Sequence, residues 1–297
     1  QDFESGAFPP DALEKLSILL EHIGSQPLIV RSSSLLEDNF GTSFAGKYES
    51  HFCPNQGTLE QNLQDLTHAI QMIYGSIFNP DALLYRRRKE LQDYDERMAI
   101  LIQVVQGERF NRYFLPHAAG VAFSRNLFRW SPQIRRDDGF VRLVWGLGTR
   151  AVDRVGNDYP RLIALSHPLL RPEASTLAIQ HYSQHYIDLI DLEANQFVTL
   201  PVSEVFSVRY PQARYIAQVA EEGSLTPLRS RLLESSSEQI VITFDGMLQR
   251  TRFAPMLREM LKLLEKEYRS VMSESYGLFT WKKTPGQDIP RPFFRLE

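Results

Sequence analysis

Residues Met98 to Val105 read MAILIQVV, eight consecutive positions of which only Gln103 is polar. A continuous apolar run of that length reads as a buried strand. Three further runs have the same character: Pro27 to Val30, Ala119 to Phe123 and Val141 to Trp145. Arg161 to Leu165 is a weaker one. Between them lie segments of helical period. Leu13, Leu16, Leu19, Leu20 and Ile23 share one helical face, closed by Gly24. Thr58-Leu59-Glu60-Gln61 fits a capping box, ahead of Leu63, Leu66, Ile70 and Ile73. Asn79-Pro80 starts another helix with proline at its first position. Leu257, Met260, Leu261 and Leu264 mark a late one. Alternation around Glu193-Ala194-Asn195 suggests a hairpin, and Glu238 to Phe244 a strand. Strands and helices interleave, so the expected class is α/β, or mixed α+β.

The chain has 297 residues, enough for one large or two modest domains. The net charge of −3 weighs against a nucleic-acid binder working through its overall field. The single cysteine, Cys53, excludes an internal disulfide framework. No apolar run approaches the ~20 residues of a membrane span, and the start, Gln1-Asp2-Phe3-Glu4, has no signal-peptide character. The expectation is a reducing, cytoplasmic setting without a membrane partner, in a chain that begins inside a longer one.

Several constellations could carry chemistry. Arg31 leaves a buried strand beside Ser32, Ser33 and Ser34. A guanidinium fork with hydroxyls and loop amides suits a phosphate, although the arginine could equally pair with Glu37 or Asp38. Residues 35 to 57 form a long loop or irregular hairpin, and Phe40, Phe44, Tyr48 and Phe52 argue against disorder there. Within it, Thr42-Ser43-Phe44-Ala45-Gly46-Lys47 combines small residues with a cation, without Walker A spacing. Trp145-Gly146-Leu147-Gly148-Thr149-Arg150-Ala151 fails the dinucleotide fingerprint and reads as a glycine turn between strand and helix. Arg86-Arg87-Arg88-Lys89 complements a helix C-terminus. His181 and His185 lack an H-E-x-x-H context for zinc.

In order along the chain, VRSSSLLEDNFGTSFAGKYES, LLYR, MAILIQVV, AGVAFSRN and WGLGTRAV resemble the amino-terminal ATP-binding domain of the phosphoenolpyruvate synthase and pyruvate phosphate dikinase family. The familiar pattern is V-R-S-S-A-x-x-E-D, S-F-A-G-Q, A-x-x-Y-R, V-x-V-Q-x-M-V, S-G-V-x-F-[ST] and G-L-G-E. The resemblance covers about residues 27 to 155. It implies an ATP-grasp fold, with ATP between an N-terminal lobe at 1–100 and a second lobe at 101–268. It implies an ATP-dependent kinase that phosphorylates a histidine on a separate swivelling domain, with Mg²⁺. By position, Arg31 and Arg86 would be the phosphate arginines, with Ser32 beside Arg31. Ser43, Ala45, Gly46 and Lys47 would cover the phosphates, and Gln103, Val104 and Val105 would sit at the adenine hinge.

Departures from the pattern are specific. Lys47 replaces a glutamine, and Thr149 replaces the glutamate of G-L-G-E. A D-I-E-F strand carrying the metal-binding glutamate is expected after the late helix. The tail at 269–297 instead reads RSVMSESYGLFTWKKTPGQDIPRPFFRLE. A reading-frame slip over Thr280 to Gly286 would restore Leu-Glu-Glu-Asp-Thr-Arg; a divergent terminus is the other reading, and the nucleotide sequence separates them. Asp153 or Asp158 could substitute for the missing acids. The alternative function is a non-catalytic nucleotide-sensing or protein-interaction domain of the same fold.

Overall fold

The computed structural model describes residues 6–34, 48–91, 93, 97–126, 128–152, 156–207, 209–228, 240–268, 277–282 and 291–294. The chain divides into two compact units: residues 1–105 with 190–197, and residues 106–189 with 198–297.

The first unit holds α1 (Pro10–Ile23), β1 (Leu28–Ser34), β2 (Ser50–Cys53), α2 (Leu59–Ser76), α3 (Pro80–Arg88) and β3 (Met98–Val104). Its sheet has the order β2-β1-β3 and is antiparallel throughout. The N-terminus of α2 is the expected capping box: the Thr58 hydroxyl accepts from the Gln61 amide, and the Gln61 side chain accepts from the Thr58 amide. Asn79 behaves differently. It precedes α3 without capping it, and its side-chain amide donates to Glu49 at 3.0 Å. Leu28 and Val30 of β1 pack with Leu20, Cys53, Leu66, Ile70 and Ile73, so the core lies between the sheet and the helices α1 and α2.

One expectation changes here. The MAILIQVV run is not buried on both faces, because α1 and α2 pack on one side of this sheet. Met98, Ile100, Ile102 and Val104 pack on the core, while Ala99 and Leu101 point the other way and are exposed. The run is continuous in sequence but alternates in burial, as an antiparallel strand requires.

The second unit begins with β4 (Glu108–Phe110), β5 (Tyr113–Leu115), β6 (Ala119–Phe123), β7 (Phe140–Val144), α4 (Thr149–Val152), β8 (Arg161–Ala164), α5 (Thr176–His181), β9 (Tyr186–Asp191) and β10 (Gln196–Pro201). There follow α6 (Val202–Val205), α7 (Ala213–Ile216), β11 (Ala217–Glu221), β12 (Ser224–Pro227), β13 (Ile240–Ile242), α8 (Asp245–Arg250), α9 (Phe253–Tyr268), β14 (Gly277–Lys282) and β15 (Arg291–Phe294). Three sheets result, with orders β10-β9-β5-β4, β12-β11-β13 and β15-β14-β6-β7-β8. The β9–β10 hairpin turns at Asn195, whose φ is +53°; its far end, residues 190–197, belongs to the first unit. A large core joins Leu143, Trp145, Ile163, Ile187 and Leu189 to Ile216, Phe244, Met247 and Leu257. No helix among the described residues is long and apolar enough to cross a membrane.

Candidate nucleotide site

In the first unit, the register of β1 decides which side chains share a face. Ile29 lies opposite Gln103 and Phe52, and Arg31 opposite Leu101 and Ser50. Opposite residues of an antiparallel pair point to the same side. Arg31 and Gln103 therefore stand on the face turned away from α1 and α2, as diagonal neighbours about 7–8 Å apart at the backbone, within reach of long side chains. Phe52 on the same face stacks on Phe197, with ring centroids 5.2 Å apart.

Ser32 lies opposite Ile100 and so turns toward the helices, on the other side of the sheet from Arg31. Val104 also packs on the helix side. Val105 is buried, and its amide donates to the Pro27 carbonyl at 2.8 Å. Arg86 comes from α3, which seats Ala82 in a small core with Tyr48, Tyr85, Leu91 and Met98. Met98 is the register partner of Ser34, so α3 packs at the end of the sheet where β1 finishes. The Arg86 Nε donates to the Leu91 carbonyl at 3.4 Å. Ser43, Ala45, Gly46 and Lys47 lie outside the described residues.

The second unit builds the glycine turn. Gly146 has φ +98°, and a Cβ there would sit 2.5 Å from the Asp188 carbonyl oxygen and 2.6 Å from the Ile187 side chain. Only glycine satisfies both conditions. The turn is held from β9 and the residues before it. Gln184 accepts from the Trp145 amide and donates to its carbonyl, both at 2.8 Å. The Leu147 amide donates to the Asp188 carbonyl at 2.9 Å.

A family model described as "Pyruvate phosphate dikinase, AMP/ATP-binding domain" matches residues 1–274. The chain belongs to this family. It is also 28% identical, over 208 residues, to a rifampicin phosphotransferase of Streptomyces sviceus; the match takes in 66% of this chain and 22% of that protein. The chain thus corresponds to about a fifth of this curated relative's length.

Within this dikinase-type domain, the position of the G-L-G-E glutamate is occupied by Thr149, and its surroundings explain a different use. The Thr149 hydroxyl donates to Asp188, as does Thr199 at 2.6 Å. The Arg150 Nε donates to the same carboxylate at 3.0 Å, while its Nη1 donates to Asp158 at 2.7 Å. Asp158 also accepts from the His185 amide. All three charged side chains are at most 8% exposed. Buried carboxylates require such partners. Asp158, a candidate replacement for the missing metal acids, is therefore committed to Arg150. Asp153 lies outside the described residues. The strand after the late helix does exist: β14 pairs with β6, Gly277 opposite Ala122 and Thr280 opposite Ala119. Its sequence, GLFTWK, contains no carboxylate. Among the described residues no group of three or more His, Cys, Asp or Glu could cage a metal ion.

Two further networks have no signature in the sequence. Tyr210 and Glu108 lie 2.6 and 3.2 Å from the two ring nitrogens of buried His117. Burial holds the Tyr210 hydroxyl above its ordinary pKa, which keeps it a donor. Near Asp245, Arg171 donates to the carboxylate at 2.7 Å and Arg161 lies 3.8 Å from it. Burial, with Arg171 alongside, pushes Arg161 down to about 9.

Proposed function

We propose that this domain is the ATP-binding module of a dikinase-type phosphotransferase, which passes a phosphoryl group from ATP to a histidine on a separate domain and leaves AMP and phosphate. The observation that carries the reading is the placement of Arg31 and Gln103 as diagonal neighbours on the face of β1 and β3 turned away from α1 and α2, in a chain of an AMP/ATP-binding family. In this reading ATP is clamped between two lobes of ATP-grasp type. ATP supplies the phosphoryl group and the leaving group. Arg31 grips phosphate oxygens with its planar fork, and Arg86 is the second cation. The loop of Ser43, Ala45, Gly46 and Lys47 covers the phosphates, and Gln103 to Val105 flank the adenine. Ser32 faces away from Arg31 and contributes through its main chain. Phosphoryl transfer depends mostly on positioning and charge neutralisation, which is what such residues provide. Mg²⁺ in nucleotide sites is commonly held by one or two carboxylates plus phosphates. With no acid cage among the described residues, the phosphates of ATP would supply most of its ligands.

A second reading is a nucleotide sensor that binds without turnover, favoured by the absence of a carboxylate from the β14 sequence. The experiment is a melting curve with and without Mg-ATP, followed by AMP assay with an added phosphohistidine domain. A ligand that binds only the native state at about 100 times its Kd adds about 2.7 kcal/mol. Stabilisation with AMP release supports the phosphotransferase, and stabilisation alone supports the sensor. No shift at millimolar Mg-ATP overturns both.

A further inference from the structure

Strands β6 and β7 are antiparallel neighbours, in register from Ala119 opposite Val144 to Phe123 opposite Phe140. Such neighbours are usually joined by about 2–5 residues. Here residues 124–139, sixteen in all, lie between them. Structureless loops of that length are usually either functional or disordered linkers, and this one carries a 3₁₀ turn, Arg136–Asp138.

Apart from Leu127, which lies outside the described residues, this loop is built as an ordered body. The Asn126 amide donates to the Arg136 carbonyl at 2.7 Å and pinches its base. The Asn126 side chain accepts from the Phe128 amide at 2.8 Å, and Asp138 accepts from the Arg135 amide at 2.6 Å. Ile134 plugs the interior at 2% exposure. The rings of Phe128 and Trp130 lie 5.7 and 6.4 Å from that of Phe140.

What this body presents is unusual for a net-acidic chain. Phe128 is 55% exposed although its ring is fixed against Phe140. Arg129, Arg135 and Arg136 are all exposed, and their guanidinium groups have no ion-pair partner among the described residues. Of the two loop acids, Asp138 is buried and faces Arg258 at 3.8 Å, which leaves Asp137 as the exposed one. Among the exposed charged residues of this loop, three are thus cations and one is an acid, with one exposed apolar ring, Phe128, next to Arg129 in sequence.

We propose that the 128–136 face of this loop docks an acidic segment of a partner protein carrying an apolar side chain. Each guanidinium offers a fork matched to a carboxylate. Phe128 supplies an apolar anchor of the kind that dominates small interfaces. Because the loop is ordered by its own hydrogen bonds, docking costs little conformational entropy on this side. A single-stranded nucleic acid fits less well. Such sites stack successive bases along a track of about 4–16 nucleotides, and this loop exposes one ring in a chain of net charge −3.

The proposal stands apart from nucleotide binding and is tested separately. The probes are a fluorescein-labelled Glu-rich peptide with one central leucine and a labelled oligothymidylate, read by anisotropy against the whole chain. Saturable peptide binding that weakens with salt is expected. Exposed ion pairs contribute about 0.2–1 kcal/mol each, so Arg129→Ala, Arg135→Ala and Arg136→Ala together should weaken the peptide about tenfold. Phe128→Ala should weaken it without changing the salt dependence. An Arg→Lys triple, which keeps charge and the Ile134 plug, should fall between the two. An unchanged urea midpoint confirms that each variant is folded. The proposal is overturned if the peptide does not bind, if the alanine triple binds it as well as the parent does, or if the oligothymidylate binds more tightly.

Discussion

Removing either side of the Arg150 network should destabilise the second unit, but by unequal amounts. The network holds one cation between two carboxylates, all at most 8% exposed. Asp188→Ala leaves Arg150 with Asp158 as its counter-charge, so no net charge is stranded; the two threonine hydroxyls lose an acceptor. Breaking a buried pair costs about 3–5 kcal/mol when the remaining charge is uncompensated; here compensation survives, so a loss below about 3 kcal/mol is expected. Arg150→Met removes the only cation and strands two carboxylates, which places it near about 5 kcal/mol. The double variant should cost less than the sum, because the partners share one network. All three tryptophans, Trp130, Trp145 and Trp281, belong to the second unit, so their fluorescence in urea reports this unit's midpoint. Losses below about 1 kcal/mol in both single variants would match a solvated surface pair and refute the reasoning.

Three other outcomes follow from particular residues. Arg31→Lys keeps the charge but loses the planar fork; ATP affinity by calorimetry should fall at least about tenfold, or about 1.4 kcal/mol, with the unliganded melting point unchanged. Gly146→Ala places a methyl group 2.5 Å from the Asp188 carbonyl at φ +98°; strain of about 1–3 kcal/mol should lower the urea midpoint of the second unit. Burial pushes the Cys53 thiol up from 9.0 to about 12, with Asp65 adding to it; its contribution to stability is complete below pH 9 and is lost as pH rises from there through about 12, and native protein at pH 8 should resist a thiol reagent that reacts at once in urea.

Much of the secondary structure was legible because it rests on local rules. The capping box at Thr58, the proline start of α3, the hairpin at Asn195 and the strands β6, β7 and β8 all carry their signal within a few residues. The β4–β5 and β11–β12 hairpins were not legible. Their two-residue turns are Asn111-Arg112 and Glu222-Gly223, with φ of +54° at Asn111 and +47° at Glu222. Only the second contains a glycine, and neither stands between strongly alternating runs, so turn chemistry alone gave too little signal. The burial of β3 was not legible for a different reason. A continuous apolar run specifies a strand, but whether one or both faces are covered depends on how many layers pack on it, and that is set by segments distant in sequence.

The glycine turn illustrates the same division at the candidate site. Its existence was readable from Gly146 and Gly148, because positive φ has a residue signature. The purpose of Thr149-Arg150 was not, because their partners Asp158 and Asp188 lie 8 to 39 positions away in sequence and carry no motif. Taken alone, threonine in place of a glutamate looks like the loss of a polar function. In the fold it is half of an exchange. A carboxylate on β9 receives the threonine hydroxyl, and the adjacent arginine neutralises that carboxylate together with Asp158. A glutamate introduced at position 149 would bring a third acid to one cation, and like charges at that distance in a buried site are strongly unfavourable. Thr149→Glu should therefore lower the urea midpoint of the second unit at pH 7, and the loss should shrink as pH falls and the added acid protonates. If the variant instead keeps its midpoint and gains AMP release, the turn has space and solvent for a carboxylate, and the threonine is a simple loss.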